Sequence, residues 1–95
     1  MTTRLLVSFA ALGFIAACAI PPEGVTPEKL ASFDVAVASI GCDLVGESDY
    51  LPVELQTGLT RDQVIETAQF RLANQEAVRL SNGGIRLTSG ACAAA

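Results

Sequence analysis

Residues 60–90 read TRDQVIETAQFRLANQEAVRLSNGGIRLTSG, and the fold is decided within this stretch. It opens with Thr60 and, three residues on, Gln63. A hydroxyl at 60 can accept from the amide of 63, and the side chain at 63 can reach back to the amide of 60. Leu59 and Val64 flank this box as a hydrophobic staple. A helix is predicted from Arg61 to about Gln75, with Val64, Ile65, Ala68 and Leu72 as its inner stripe. Beyond it, Ala77 to Leu80 and Ile85 to Thr88 alternate apolar and polar residues, the periodicity of strands. Asn82-Gly83 between them is a favoured two-residue hairpin turn. Such a turn sets Leu80 opposite Ile85, Val78 opposite Leu87 and Arg79 opposite Arg86. The aliphatics then point inward and the arginines outward.

Towards the amino terminus, Pro52 to Thr57 reads as a short helix, led by Pro52 and closed by Gly58. Cys42 to Val45 is a strand stopped by Gly46. Thr26-Pro27-Glu28 opens a further helix: Thr26 can cap, Pro27 suits the first position, and Glu28 suits the positive helix end. Leu30, Phe33, Val37 and Ile40 follow as one apolar stripe, and Gly41 ends it. Ala91 to Ala95 is a small-residue tail expected to fray after Cys92.

The expectation is an α+β domain over residues 26–95, with three helices plus a C-terminal β-hairpin and a short third strand. A signal-peptide helix precedes it. In element order and spacing, residues 26–92 resemble a winged-helix domain, the stretch quoted above standing for recognition helix and wing. In that family the short first strand pairs with the last strand of the wing. The resemblance therefore implies that Cys42 lies beside Cys92. DNA binding is not expected to follow with the fold, since function resides in the site and not the scaffold.

The first 18 residues have the layout of an export signal. Thr2, Thr3 and Arg4 form a short positive region, and Leu5 to Ala17 is an uncharged apolar block. The apolar run can be extended to Ile20, where Pro21-Pro22-Glu23 stops it. At that length it falls short of the roughly 20 residues a bilayer-spanning helix needs. The block ends Ile15-Ala16-Ala17-Cys18, which resembles the lipobox of bacterial lipoproteins. That resemblance implies cleavage between Ala17 and Cys18 and acylation of Cys18, with residues 18–25 as a lipidated tether. Ala19, next to the cysteine, points by the same resemblance to the outer membrane. Several acyl chains, at about 0.8 kcal/mol per buried methylene, hold a protein durably. Ala17-Cys18-Ala19 also satisfies the small-x-small pattern of ordinary signal peptidase, which would release a soluble periplasmic protein. An uncleaved anchor is the third alternative. All three place the domain outside the cytoplasm, in the cell envelope on the periplasmic side. Ala19 to Val25, with two prolines and a glycine, reads as a short spacer.

Three cysteines are an odd count. With Cys18 consumed at the leader, Cys42 and Cys92 are an even pair in an oxidising compartment. A disulfide between them would stabilise a small fold by about 4 kcal/mol through loop closure. The alternative is thiol-redox use of the same pair, although such cysteines usually sit as Cys-x-x-Cys.

The whole chain has six basic and ten acidic residues, a net charge of −4. Without Arg4, the remainder has five cations against ten carboxylates, a net charge of −5. An acidic domain repels phosphate backbones, so nucleic acid is not an expected partner. There is no histidine. That removes the commonest general base and metal ligand, and no catalytic residue, cofactor or metal is assigned. Asp43, Glu47 and Asp49 lack the pattern of a calcium loop and read as a solvated acidic stretch. Phe70 falls opposite the predicted inner stripe of its helix, and Arg79 and Arg86 would face one another across the hairpin. Phe70, Arg79 and Arg86 are thus the candidate partner surface. The expected function is that of a non-enzymatic, membrane-tethered accessory or interaction module, its partners the membrane, through the lipid anchor, and an envelope protein.

Overall fold

The computed structural model of the protein describes residues 20–94. The expected signal-peptide helix and the expected cleavage and acylation site at Ala17 and Cys18 lie outside them. Three helices and a three-stranded antiparallel sheet follow in the order α1 (Pro27–Ser39), β1 (Asp43–Leu44), α2 (Glu47–Thr57), α3 (Arg61–Ala73), β2 (Ala77–Arg79) and β3 (Ile85–Leu87). A single 3-10 turn, Gly90–Cys92, follows. The sheet order is β1-β3-β2, the pairing of first and last strands that the winged-helix resemblance implies. This is the expected α+β architecture.

Each helix end has a local cause. The Thr26 hydroxyl accepts from the Lys29 amide at 3.2 Å, capping α1, and Pro27 occupies its first turn. At its far end Gly41 adopts φ 102°, and the Cys42 amide donates to the Val37 carbonyl at 2.9 Å. This is the left-handed C-cap that glycine favours. The capping box of α3 forms as read: Gln63 N donates to Thr60 Oγ1 at 3.1 Å, and Thr60 N to Gln63 Oε1 at 3.0 Å. Leu59 and Val64 are both buried beside it.

Phe33, Ala36 and Val37 of α1 pack with Leu44, Val53, Val64, Ala68, Ala77 and Leu87 in one core. Cys42 and Cys92 join that core and are disulfide-bonded, with Cα atoms 5.8 Å apart. On α3 the inward stripe is Val64, Thr67 and Ala68, not Ile65, which is exposed. Thr67 tolerates full burial because its hydroxyl donates to the Gln63 carbonyl at 2.6 Å.

α2 is longer than the sequence suggests. It starts at Glu47, and Pro52 lies inside it instead of leading it. Its start is held by Asp49, whose Oδ2 accepts from Val45 N at 2.9 Å and Gly46 N at 3.3 Å. Proline here forgoes one intrahelical hydrogen bond, and the carboxylate cap upstream secures the turn before it.

The hairpin register differs by one residue from the expected one. Ala77 pairs with Leu87, Val78 with Arg86 and Arg79 with Ile85. The connection is a three-residue loop, Ser81 to Gly83. Gly83 N donates to Leu80 O at 3.0 Å, and Leu80 N to Gly84 O at 2.8 Å. Gly83 takes φ 92°, so a tight turn is followed by a left-handed glycine and a bulge. A one-residue slip moves side chains to the other face. Val78 is accordingly 47 % exposed, not inward, and Ala77 is buried in its stead.

Candidate functional site

Of the expected partner surface, Phe70, Arg79 and Arg86, the two arginines are arranged differently from the expectation. Arg79 and Arg86 are not opposite one another. Arg79 is paired with Ile85, is exposed, and has no ion pair among the described residues. Arg86 lies across from Asp43 of β1 and grips it, with Nε to Oδ1 at 2.7 Å and Nη2 to Oδ2 at 3.0 Å. That hydrogen-bonded contact holds the Asp43 carboxyl below its ordinary range. Phe70 is half-buried, and the Arg71 guanidinium carbon lies 5.6 Å from its ring centroid.

Two further arginines are drawn into structural networks. Arg61 donates to both oxygens of Glu47 at 2.8 Å, to Glu54, and stands 5.0 Å over the Tyr50 ring. It ties the start of α3 to α2. These hydrogen bonds, to Glu47 and then to Glu54, raise the Arg61 pKa, and the same contact lowers that of Glu47. Arg71 bridges α3 to α1 through Asp34, at 2.6 and 3.1 Å, and reaches Glu76 at 2.8 Å. Lys29 turns its ammonium onto the Thr57 carbonyl at the end of α2. The carboxylates singled out as a loop are therefore largely engaged: Asp43 with Arg86, Glu47 with Arg61, and Asp49 in capping α2. Among the described residues no cluster of three or more metal-capable side chains occurs.

The most exposed apolar residues of the three helices lie on α1 and α2. Val35 of α1 is 67 % exposed and Leu55 of α2 is 76 % exposed. A shallow depression of about 270 Å³ lies between these helices, lined by Ala31, Ser32, Val35 and Gln56. Val35 was legible in principle, since it falls opposite Phe33 and Val37 on the helical wheel. Leu55 was not, because α2 was expected to begin too late to define a face.

The segment before α1 is not a free spacer. Val25 is buried in the core, and its amide donates to the Pro22 carbonyl at 3.0 Å, closing a turn. Gln63 Nε2 donates to the Glu23 carbonyl at 3.3 Å. Gly24, at φ 81°, lies so close to Gln63 that a Cβ there would come within 2.8 Å of its Nε2. The capping side chain of α3 thus also fastens the chain that leads to α1. No helix among the described residues is long and apolar enough to cross a membrane. Comparison with protein-family models, with curated proteins and with solved structures finds no match to the chain.

Proposed function

We propose that the chain is an exported bacterial lipoprotein, cleaved before Cys18, acylated on that residue and held at a membrane on the periplasmic side. The folded domain is a non-enzymatic interaction module of the envelope. One observation carries the reading. Of three cysteines, two are bonded to each other inside the fold, and the third ends the apolar leader in a lipobox-like Ile15-Ala16-Ala17-Cys18. A buried disulfide suits an oxidising compartment, and the cysteine it leaves over is the one the lipobox would modify. The exposed Val35 and Leu55 support a role in contacts with another protein.

Mass spectrometry of the purified native protein tests this directly. The expected result is a chain starting at Cys18, an acyl mass on it, and a two-proton deficit for Cys42 and Cys92. A chain starting at Ile20 would make the protein soluble and periplasmic. An unmodified chain starting at Met1 would end the export reading altogether. Photo-crosslinking in cells from Leu55 and from Phe70 should trap one defined envelope protein, and an empty lane from both counts against the module.

Thiol-redox use of Cys42 and Cys92 has less support. The two residues are 7 % and 1 % exposed, whereas exchange requires an attacking thiolate to reach a sulfur.

A further inference from the structure

We infer that the domain stands on the bilayer in one orientation, with the pole formed by the start of α1, the end of α2 and the start of α3 facing the headgroups. This rests on the reading of Cys18 as the lipid attachment site.

Three contacts define that pole. The turn closed by Val25 N and Pro22 O leads straight into α1. Gln63, in the first turn of α3, holds the Glu23 carbonyl. Lys29, in the first turn of α1, holds the Thr57 carbonyl at the end of α2. Because Val25 is part of the core, the leading segment is fixed to the domain from Pro22 onward. Only three residues, 19 to 21, then separate Cys18 from the docked turn, four Cα–Cα steps with a reach of at most about 14 Å. An undocked spacer running to Val25 would give about 25 Å. The disulfide lies at the other end of α1, since Cys42 follows that helix by three residues. A 13-residue helix is about 20 Å long. The greatest reach of the connecting residues is thus shorter than the helix that separates the two poles, and tumbling that brings the disulfide end to the lipid is disfavoured.

Charge argues that the tether, and not affinity for lipid, sets this orientation. Glu23, Glu28 and Asp62 are exposed at the docked pole. Its two cations are already engaged within the domain, Lys29 with the Thr57 carbonyl and Arg61 with Glu47 and Glu54. An acidic rim has no attraction for headgroups of net negative charge. The bilayer it fits is a neutral one, approached because the chain is short.

The test uses the mature, acylated protein in phosphatidylcholine vesicles containing a nitroxide-headgroup lipid. A fluorophore is placed through Asp62→Cys at the docked pole or Ala93→Cys at the disulfide pole. Mass spectrometry on the same samples reports acylation and the intact disulfide. The expected result is several-fold stronger quenching at 62 than at 93. A six-residue Gly-Ser insertion between Ile20 and Pro21 should abolish the difference. Equal quenching in acylated protein would overturn the fixed orientation and leave the anchor standing. A difference that survives the insertion would assign the orientation to lipid affinity and overturn the tether argument. Absence of the acyl mass would overturn both this inference and the anchor on which it rests.

Discussion

Cys42 donates its amide to Val37 at the exit of α1, accepts from Leu87 N at 2.9 Å, and is bonded to Cys92, 50 residues away. One residue thus ties together a helix end, the sheet and the last turn of the chain. A bond closing a loop of that length should contribute about 4 kcal/mol. In a domain this small, that is comparable to the net stability expected of the core itself, roughly 3–5 kcal/mol. Cys42→Ala with Cys92→Ala is expected to leave the chain largely unfolded near body temperature, read by circular dichroism and urea titration. Because both residues are buried, the folded wild type should keep its bond in mild reductant and lose it once urea opens the domain. Ready reduction in the folded state would restore the thiol-redox alternative.

α3 ends in a left-handed residue that is not glycine. Gln75 adopts φ 63°, while Gln75 N donates to Leu72 O and Glu76 N to Arg71 O. This is the cap geometry in which glycine carries no Cβ penalty. Gln75→Gly should raise stability by about 1 kcal/mol, seen as a higher urea midpoint with an unchanged slope. A drop would mean that the Gln75 side chain makes a compensating contact.

Gly84 is required by close approach. A Cβ there would come within 2.7 Å of the Leu44 carbonyl and 2.8 Å of Val45 Cγ2. The first of these atoms is backbone of the neighbouring strand and cannot swing aside. Gly84→Ala is expected to cost about 2 kcal/mol by forcing β1 away from β3. Gly83→Ala meets no atom but must hold φ 92°, so its cost is conformational and smaller. Thermal melts of the two variants should rank them in that order.

Much of this architecture was legible from local chemistry. The Thr60–Gln63 box and the Thr26-Pro27 start each act within one turn, so neighbouring residues sufficed to place them. For α2 the sequence points to a late start because Pro52 is the louder signal, whereas the actual start depends on Asp49 reaching back to Gly46. The hairpin register is not fixed by local residues, because Asn82-Gly83 serves a two-residue turn or a three-residue loop equally well. Packing of Ala77 and Leu87 against the core chooses between them. The docking of Glu23 on Gln63 could not be read at all, being a contact between residues 40 apart in the chain.

The two hairpin arginines should separate under charge reversal. Arg79 has no ion-pair partner among the described residues, so Arg79→Glu is expected to leave the melting temperature unchanged. Arg86→Glu places a carboxylate against Asp43 across β1 and β3, where like charges opposite one another destabilise. It should lower the melting temperature measurably, and adding Asp43→Arg should recover most of the loss. Equal behaviour of the two single variants would show that the Arg86–Asp43 pair contributes nothing in solution.

Acid sensitivity is set by carboxylates that pull in opposite directions. Hydrogen bonds from Arg86 and Arg61 hold Asp43 and Glu47 low, so the unfolded chain takes up those protons first. The stability they supply is present above the ordinary carboxylate range and is lost as pH falls through their folded values. Asp34 behaves the other way. Burial pushes its carboxyl up, and the hydrogen bond and charge of Arg71 bring it only part of the way back. Its folded form holds a proton more readily than the unfolded chain, so its contribution declines as pH rises through that range. Asp34→Asn keeps an acceptor for Arg71 and removes the opposing titration. Urea midpoints measured from about pH 3 to pH 7 should then fall more steeply on acidification than in the wild type. Asp43→Asn should flatten the same curve. If Asp34→Asn flattened it instead, Arg71 would outweigh burial, and the α1–α3 bridge would be a net stabiliser of the charged carboxylate.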